Sequence, residues 1–351
     1  MFSFRFTKRV LGFAALSGIA LQPPPQEKPI KIRVVIVAMF ESGNDTGDRP
    51  GEFQFWVERD KLDQVLPFPA GYRDLRINAR QGVLGVLTGA GVTNACATIM
   101  ALGMDPRFDL SKSYWLIAGI AGVDPEDASL GSAAWANYVL DGDLVRELDS
   151  REAPAQWPYG RLALGSRKPN EMPKRPFADT VMFQLNSKLV DWAYSITKDL
   201  KLMDTPEMAA YRARYKGFPK AVVPPFVLKG DSLGSSTYWH GKIMNQWAND
   251  WVKLWTGGQG NYVMTNMEDN GTVTALARLA KIHKVDFRRV LVLRTASNYS
   301  MQAPGQSAEE SVFAEYVGSL PSLESAHLVG RTVLHKLLEN WSKWETSIPG
   351  E

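Results

Sequence analysis

The stretch FVLKGDSLGSSTYWHG, residues 226–241, puts Ser232 inside a Gly-Asp-Ser-Leu run. A serine can serve there as a nucleophile if a histidine takes its proton and an acid orients that histidine. The histidines are His240, His283, His327 and His335, and the residues three before them are Thr237, Ala280, Glu324 and Thr332. None of the four is aspartate, and the run follows a late apolar stretch rather than the first, so Ser232 does not read as a nucleophile. The four histidines also form no His-x-x-x-His pair, and one cysteine, Cys96, cannot build a zinc cage. The loop ESGNDTGDRPGE, 41–52, has oxygen donors but not at calcium-loop spacing. It reads as a solvated polar loop, or as one that closes over a ligand. No metal and no cofactor is expected.

A second motif, TGAGVTN at 88–94, begins like a dinucleotide fingerprint with Gly89 and Gly91, but Asn94 takes the third small position. The next apolar run ends in Gly-Ile-Ala-Gly, 119–122, without the acid that would hold a ribose. The glycines still let a small ligand approach the backbone at a strand-to-helix turn. Further polar groups close successive apolar runs: Glu41, Thr88 with Gly89, Gly119 to Gly122, Gly230 with Asp231, Asn266-Met267-Glu268, and Arg294 to Asn298. Ligands of α/β sheets gather at such strand ends.

The runs themselves are IRVVIVAM (32–39), GVLGVLTG (82–89), YWLIAGIAG (114–122), AVVPPFVLKG (221–230), NYVMTNM (261–267) and RRVLVLRTAS (288–297). Continuous β-branched stretches of this length predict strands covered on both faces. Segments with helical spacing lie between them: NACATIMALG, GKIMNQWANDWVKLW, and NGTVTALARLAKIHKV with Val273, Leu276, Ala277 and Ala280 on one face. The alternation predicts an α/β domain over 30–345 with a mixed central sheet flanked by helices. Residues 150–225, rich in proline and aromatics with one helix around 182–200, read as an insertion packed over the sheet. The stripe containing Trp247 and Trp251 reads as core or subunit interface. Cys96 reads as a small buried helix residue.

With 40 basic and 37 acidic side chains and no basic run interleaved with aromatics, nucleic acid is excluded as a partner. Arg5, Lys8 and Arg9 precede an apolar run from Val10 to Leu21, with Gly18 and Ala20 spaced like a cleavage site. Residues 1–21 therefore read as a cleaved signal peptide and 22–29 as a proline-rich linker, giving a secreted or periplasmic protein with no membrane insertion of the mature chain. The lone cysteine excludes an intrachain disulfide.

The order of strand-end groups resembles the nucleoside phosphorylase and nucleosidase superfamily, and over roughly 30–343 the chain looks most like the purine nucleoside permease family. VIVAMFE is similar to the strand whose glutamate activates water in methylthioadenosine nucleosidases, although one alignment puts Ser42 opposite that glutamate. TGAGVTNA, AGIAG and FVLKGD match three further strand ends, and NMEDNG matches the Met-Glu pair that lies under the ribose. LVLRTASN is similar to an Arg-x-x-Ser-Asp, with Asn298 in place of the acid at the purine. The resemblance implies a single-domain nucleoside phosphorylase/hydrolase-like fold, catalytic Glu41 and Asn298, and substrate contacts from Thr88, Gly89, Gly119, Gly122, Asp231, Asn266, Met267 and Glu268. The arginine that grips phosphate in phosphorylases is replaced by Val86 and Leu87, which leaves Arg49 as its one substitute and favours water over phosphate. The expected partner is a purine nucleoside, with phosphate optional, and the expected assembly a homo-oligomer. Two readings follow: a purine-nucleoside-cleaving enzyme, or a non-catalytic nucleoside-binding protein serving uptake through a membrane partner.

Overall fold

The computed structural model describes residues 28–176 and 178–351. The segment read as a signal peptide lies outside the described residues, as does most of the proline-rich linker. Among the described residues, twelve strands join in one sheet. At its centre the strand Val34–Ala38, buried at all five positions, runs parallel to Val83–Leu87 on one side and to Tyr114–Val123 on the other. Burial on both faces is what the unbroken run of β-branched residues demands. Beyond Val83–Leu87 the sheet turns antiparallel through Leu75–Asn78 and Gln64–Leu66.

The ten-residue strand Tyr114–Val123 organises the rest. Val290–Tyr299 pairs with it in parallel along its length, while Tyr262–Asn266 meets its last residues in antiparallel fashion. The partners there are Met264 with Val123 and Thr265 with Gly122, so the carboxyl ends of three strands converge. Asp231–Gly234 and Tyr138–Asp141 continue the sheet in parallel, and Met182–Gln184 closes that edge. The sheet is thus mixed, with helices packed against it.

Two helices pack under the converging ends because glycines allow close approach. Gly271 of Asp269–Lys281 lies against the backbone of Val92 at the start of Val92–Met104, and Gly103 lies against Leu279. On Asp269–Lys281, Val273 and Leu276 are buried as the spacing predicts, joined by Ala275 and Leu279 rather than by Ala277 and Ala280. Cys96 is only half-buried. The long helix Ser319–Glu339 brings Gly330 against Trp56 and Leu116.

Several sequence expectations change in detail. The run 221–230 forms only the short strand Val227–Lys229, because Pro224 and Pro225 cannot enter a ladder. Residues 150–225 supply the edge strand Met182–Gln184. The Asn186 side chain then accepts from the Lys188 and Leu189 amides and starts the helix Ser187–Thr197 three residues later. This helix packs on Ser319–Glu339. Trp247 and Trp251 are core within one chain: Arg161 lies 4.5 Å over the Trp247 ring, and the Trp251 indole donates to the Asp141 carbonyl at 2.9 Å.

Candidate functional site

The carboxyl ends of Val34–Ala38, Tyr114–Val123, Tyr262–Asn266 and Val290–Tyr299 border a pocket of about 220 Å³. Its polar lining consists chiefly of Glu52, Asn266, Glu268, Arg294, Ser297 and Asn298, with Met39, Met267, Tyr238 and Tyr316 forming apolar and aromatic walls.

The centre of the charge network is Arg294, fully buried near the middle of its strand. It donates to both Asp269 oxygens, at 2.6 and 3.1 Å, to Glu268 Oε2 at 3.3 Å, and to the Ile120 carbonyl at 3.0 Å. Asp269 also accepts from the Ser232 hydroxyl at 2.6 Å and the Asn266 amide at 2.9 Å. No histidine is among the hydrogen-bond partners of Ser232; its hydroxyl is one of the donors that hold the buried Asp269 carboxylate. Asn266 plays two parts, since its Oδ1 accepts the Glu268 and Asp269 amides at 3.1 and 2.9 Å and so fixes the turn that presents Glu268 to the pocket.

Glu52 is the second pocket carboxylate, 6% exposed. Oε2 accepts the Met39 amide at 2.8 Å and Oε1 the Ile120 amide at 2.7 Å. Burial pushes its pKa up to about 8, with Arg294 pulling it down and Glu268 adding to the rise. The Glu268 pKa is also raised, by burial first, against the lowering influence of Arg294. Three carboxylates share one guanidinium in a dry setting, so full ionisation would leave excess negative charge, and a proton on Glu52 relieves it.

Glu41, expected to activate water, does not line the pocket. Its carboxylate accepts the backbone amides of Ser42, Phe53 and Gln54 at 2.9, 3.0 and 2.7 Å, together with that of Gly51. These bonds fold the polar loop back on its own strand and leave Glu52, between two of the bound amides, aimed into the pocket. Gly51 is required there because a Cβ would run into Glu41. The same closure turns Arg49 outward; it is exposed and absent from the pocket wall, so it does not replace a phosphate grip.

Asp231 is also displaced from its expected place. It pairs with Tyr262 at the amino end of its strand, whereas the pocket lies at the Gly234 and Asn266 end. There it accepts the Asn137, Tyr138 and Asn261 amides at 3.0, 2.8 and 2.7 Å, and burial raises its pKa to about 6 against those bonds. Thr88 is buried with its hydroxyl on the Gly89 carbonyl at 3.0 Å, and neither residue lines the pocket; Ala90 of the same turn does. Gly119 acts from beneath, because a Cβ there would occupy the space of Met39, Glu52 and Arg294. Gly122, Asn266, Met267, Glu268 and Asn298 all border the cavity.

A bulge shapes the far wall. Ala296 pairs with Ala121 and Asn298 with Gly122, so Ser297 is an extra residue, and the irregularity turns Ser297 and Asn298 toward the pocket. Sequence reasoning missed Glu52, Asp269, Tyr238 and Tyr316, and did not single out Arg294 within its strand-end group. Only Arg294 carried a usable signal, a charge inside an otherwise apolar strand.

The fold matches solved nucleosidases. Futalosine hydrolase of Helicobacter pylori superposes with a TM-score of 0.51 at 12% identity, covering 87% of this chain and 98% of that one. The 5'-methylthioadenosine/S-adenosylhomocysteine nucleosidase of the same organism superposes equally well, at 13% identity over 88% and 99%. Closer kinship is visible in sequence: the purine nucleoside permease model matches residues 31–349. A purine nucleoside permease of Candida albicans is 31% identical over 329 residues, 90% of this chain and 78% of that one. A probable purine nucleoside permease of Schizosaccharomyces pombe is 31% identical over 282 residues, 78% and 80%. The chain belongs to the purine nucleoside permease family. Among the described residues no helix is long and apolar enough to cross a membrane, and no group of three or more His, Cys, Asp or Glu is placed to hold a metal ion.

Proposed function

We propose that this protein hydrolyses the N-glycosidic bond of purine nucleosides and that it does so as an exported, oligomeric enzyme. The observation that carries the reading is the pocket's charge inventory. Among the described residues lining it, Arg294 is the one cation, and its guanidinium is committed to Asp269, Glu268 and a carbonyl. A dianionic phosphate would enter beside Glu52 and Glu268 with no free positive group to receive it. A neutral nucleoside and a water meet no such penalty.

In this mechanism Glu268 accepts hydroxyl hydrogen bonds from the ribose, and Met267 covers the sugar face. Glu52, in its ionised form, takes a proton from water as the water oxygen bonds to C1′ and the glycosidic bond to the base breaks. The base departs with the bonding electron pair and takes up a proton from solvent, while Glu52 returns to solvent the proton it took from water, which closes the balance. The oxocarbenium-like sugar formed on the way is cationic, and the excess carboxylate charge around it stabilises that state more than the neutral ground state. The family likeness to purine nucleoside permeases and the nucleosidase fold support the substrate class. The apolar run behind basic residues at the N-terminus supports export.

The test is chromatography of free base released from inosine, guanosine and adenosine, with and without phosphate. Release independent of phosphate is expected. Release that requires phosphate would overturn hydrolysis, and calorimetric binding without any release would make the protein a nucleoside receptor.

A further inference from the structure

The amide end of the pocket carries a hydrogen-bond count that does not close. Three residues of one strand, at ~3.3 Å each, separate Gly119 at Glu52 from Gly122 at Asn298, so the two ends lie roughly 10 Å apart. Asn298 Nδ2 stands 3.1 Å from the Tyr299 carbonyl and 3.3 Å from the Tyr238 hydroxyl, while Oδ1 stands 2.9 Å from the Ser297 hydroxyl. The Tyr299 carbonyl only accepts, so the atom facing it must be the nitrogen, which fixes the amide orientation. Both amide hydrogens are then spoken for, one on the carbonyl and one on the phenol. Asn298 has no hydrogen left for a ligand.

The Tyr238 oxygen, accepting from Asn298, also lies 2.5 Å from the Tyr316 oxygen. Two neutral phenols bring two hydrogens, and their mutual bond uses one. Burial and the Tyr316 contact raise the Tyr238 pKa, so it keeps its hydrogen at neutral pH. Whichever phenol donates to the other, one phenolic hydrogen remains without a protein acceptor. Both rings line the pocket, and they are 47% and 40% exposed.

We propose that the Tyr238–Tyr316 pair, rather than Asn298, reads the base: its spare phenolic hydrogen donates to an acceptor on the base and selects bases with a carbonyl at that edge over bases with an amino group. An amino group brings more hydrogens and leaves the spare one unmatched, whereas a carbonyl closes the count. Asn298 is a positioning residue that holds the Tyr238 oxygen as an acceptor. The inference rests on the nucleoside-cleaving reading above.

The pair predicts an unusual pattern of variants. Tyr238→Phe and Tyr316→Phe each leave one phenol with a spare hydrogen, so each single variant keeps part of the discrimination. The double variant has no phenolic hydrogen; it is built on Asn298→Ala and compared with Asn298→Ala alone, because losing the Tyr238 oxygen frees an amide hydrogen that would otherwise take over. The experiment measures kcat/KM for inosine and for adenosine in the wild type, both singles, Asn298→Ala and the double built on it, with circular dichroism to verify folding. The inosine-to-adenosine ratio should fall about tenfold in the double, the worth of one hydrogen bond, and by less in either single. An unchanged ratio in the double would overturn the assignment while leaving hydrolysis intact. If the wild type releases no base, the hydrolase reading fails instead, and calorimetry with hypoxanthine and adenine still decides the tyrosines: equal change in affinity for both bases in the double variant would refute them.

Discussion

Replacing Glu52 with glutamine separates the function of the pocket acid from its cost to the fold. Glu52 is buried with its pKa raised from 4.5 to about 8. A carboxyl group raised in the folded state favours the protonated fold, so its contribution is fully present below pH 4.5 and is lost as pH climbs toward 8. At ~1.4 kcal/mol per decade that rise sets a ceiling of roughly 5 kcal/mol of stability lost across the interval. Glutamine does not titrate, so this part of the pH dependence vanishes. It does lose one acceptor, because Oε1 and Oε2 each take a backbone amide, from Ile120 and Met39, and an amide side chain can accept through only one atom. That loss costs about 1–2 kcal/mol at every pH. Glu52→Gln should therefore be less stable than the wild type at pH 5 and more stable at pH 8.5, with the curves crossing between. Urea denaturation at half-unit pH steps measures this, and base release should fall by at least ~100-fold. Parallel stability curves for the two proteins would refute the protonated buried acid, and retained turnover would refute its role as base.

Two further substitutions test neighbouring assignments. Glu268→Ala leaves Arg294 paired with Asp269 at 2.6 Å, so the fold should hold while nucleoside cleavage falls by ~100-fold or more; unchanged kinetics would remove Glu268 from the sugar site. Ser232→Ala takes one donor from Asp269 and should lower stability by about 1–2 kcal/mol with only a modest effect on base release and no burst of ester hydrolysis. Complete loss of activity in a folded Ser232→Ala protein would restore that serine as a nucleophile.

What the sequence determined is the local and the ordered. Strands such as Val34–Ala38 were legible because burial on both faces writes itself as an unbroken apolar run. Asn266, Met267 and Glu268 were legible because a strand end and the following turn place adjacent residues without help from elsewhere. Asp231 misled because the strand it seemed to end stops at Lys229, and it begins the next one instead. Tertiary structure decided the rest. Glu41 sits at the right strand end, yet four backbone amides capture its carboxylate and deliver Glu52, eleven residues on, to the pocket. The Ser297 bulge leaves no mark in the pattern of residues. Tyr238 and Tyr316 meet across 78 positions of sequence. Residue type and spacing specify what a segment does to itself, whereas a loop closure, a register shift or a pair of distant side chains depends on which segments the packed core brings together.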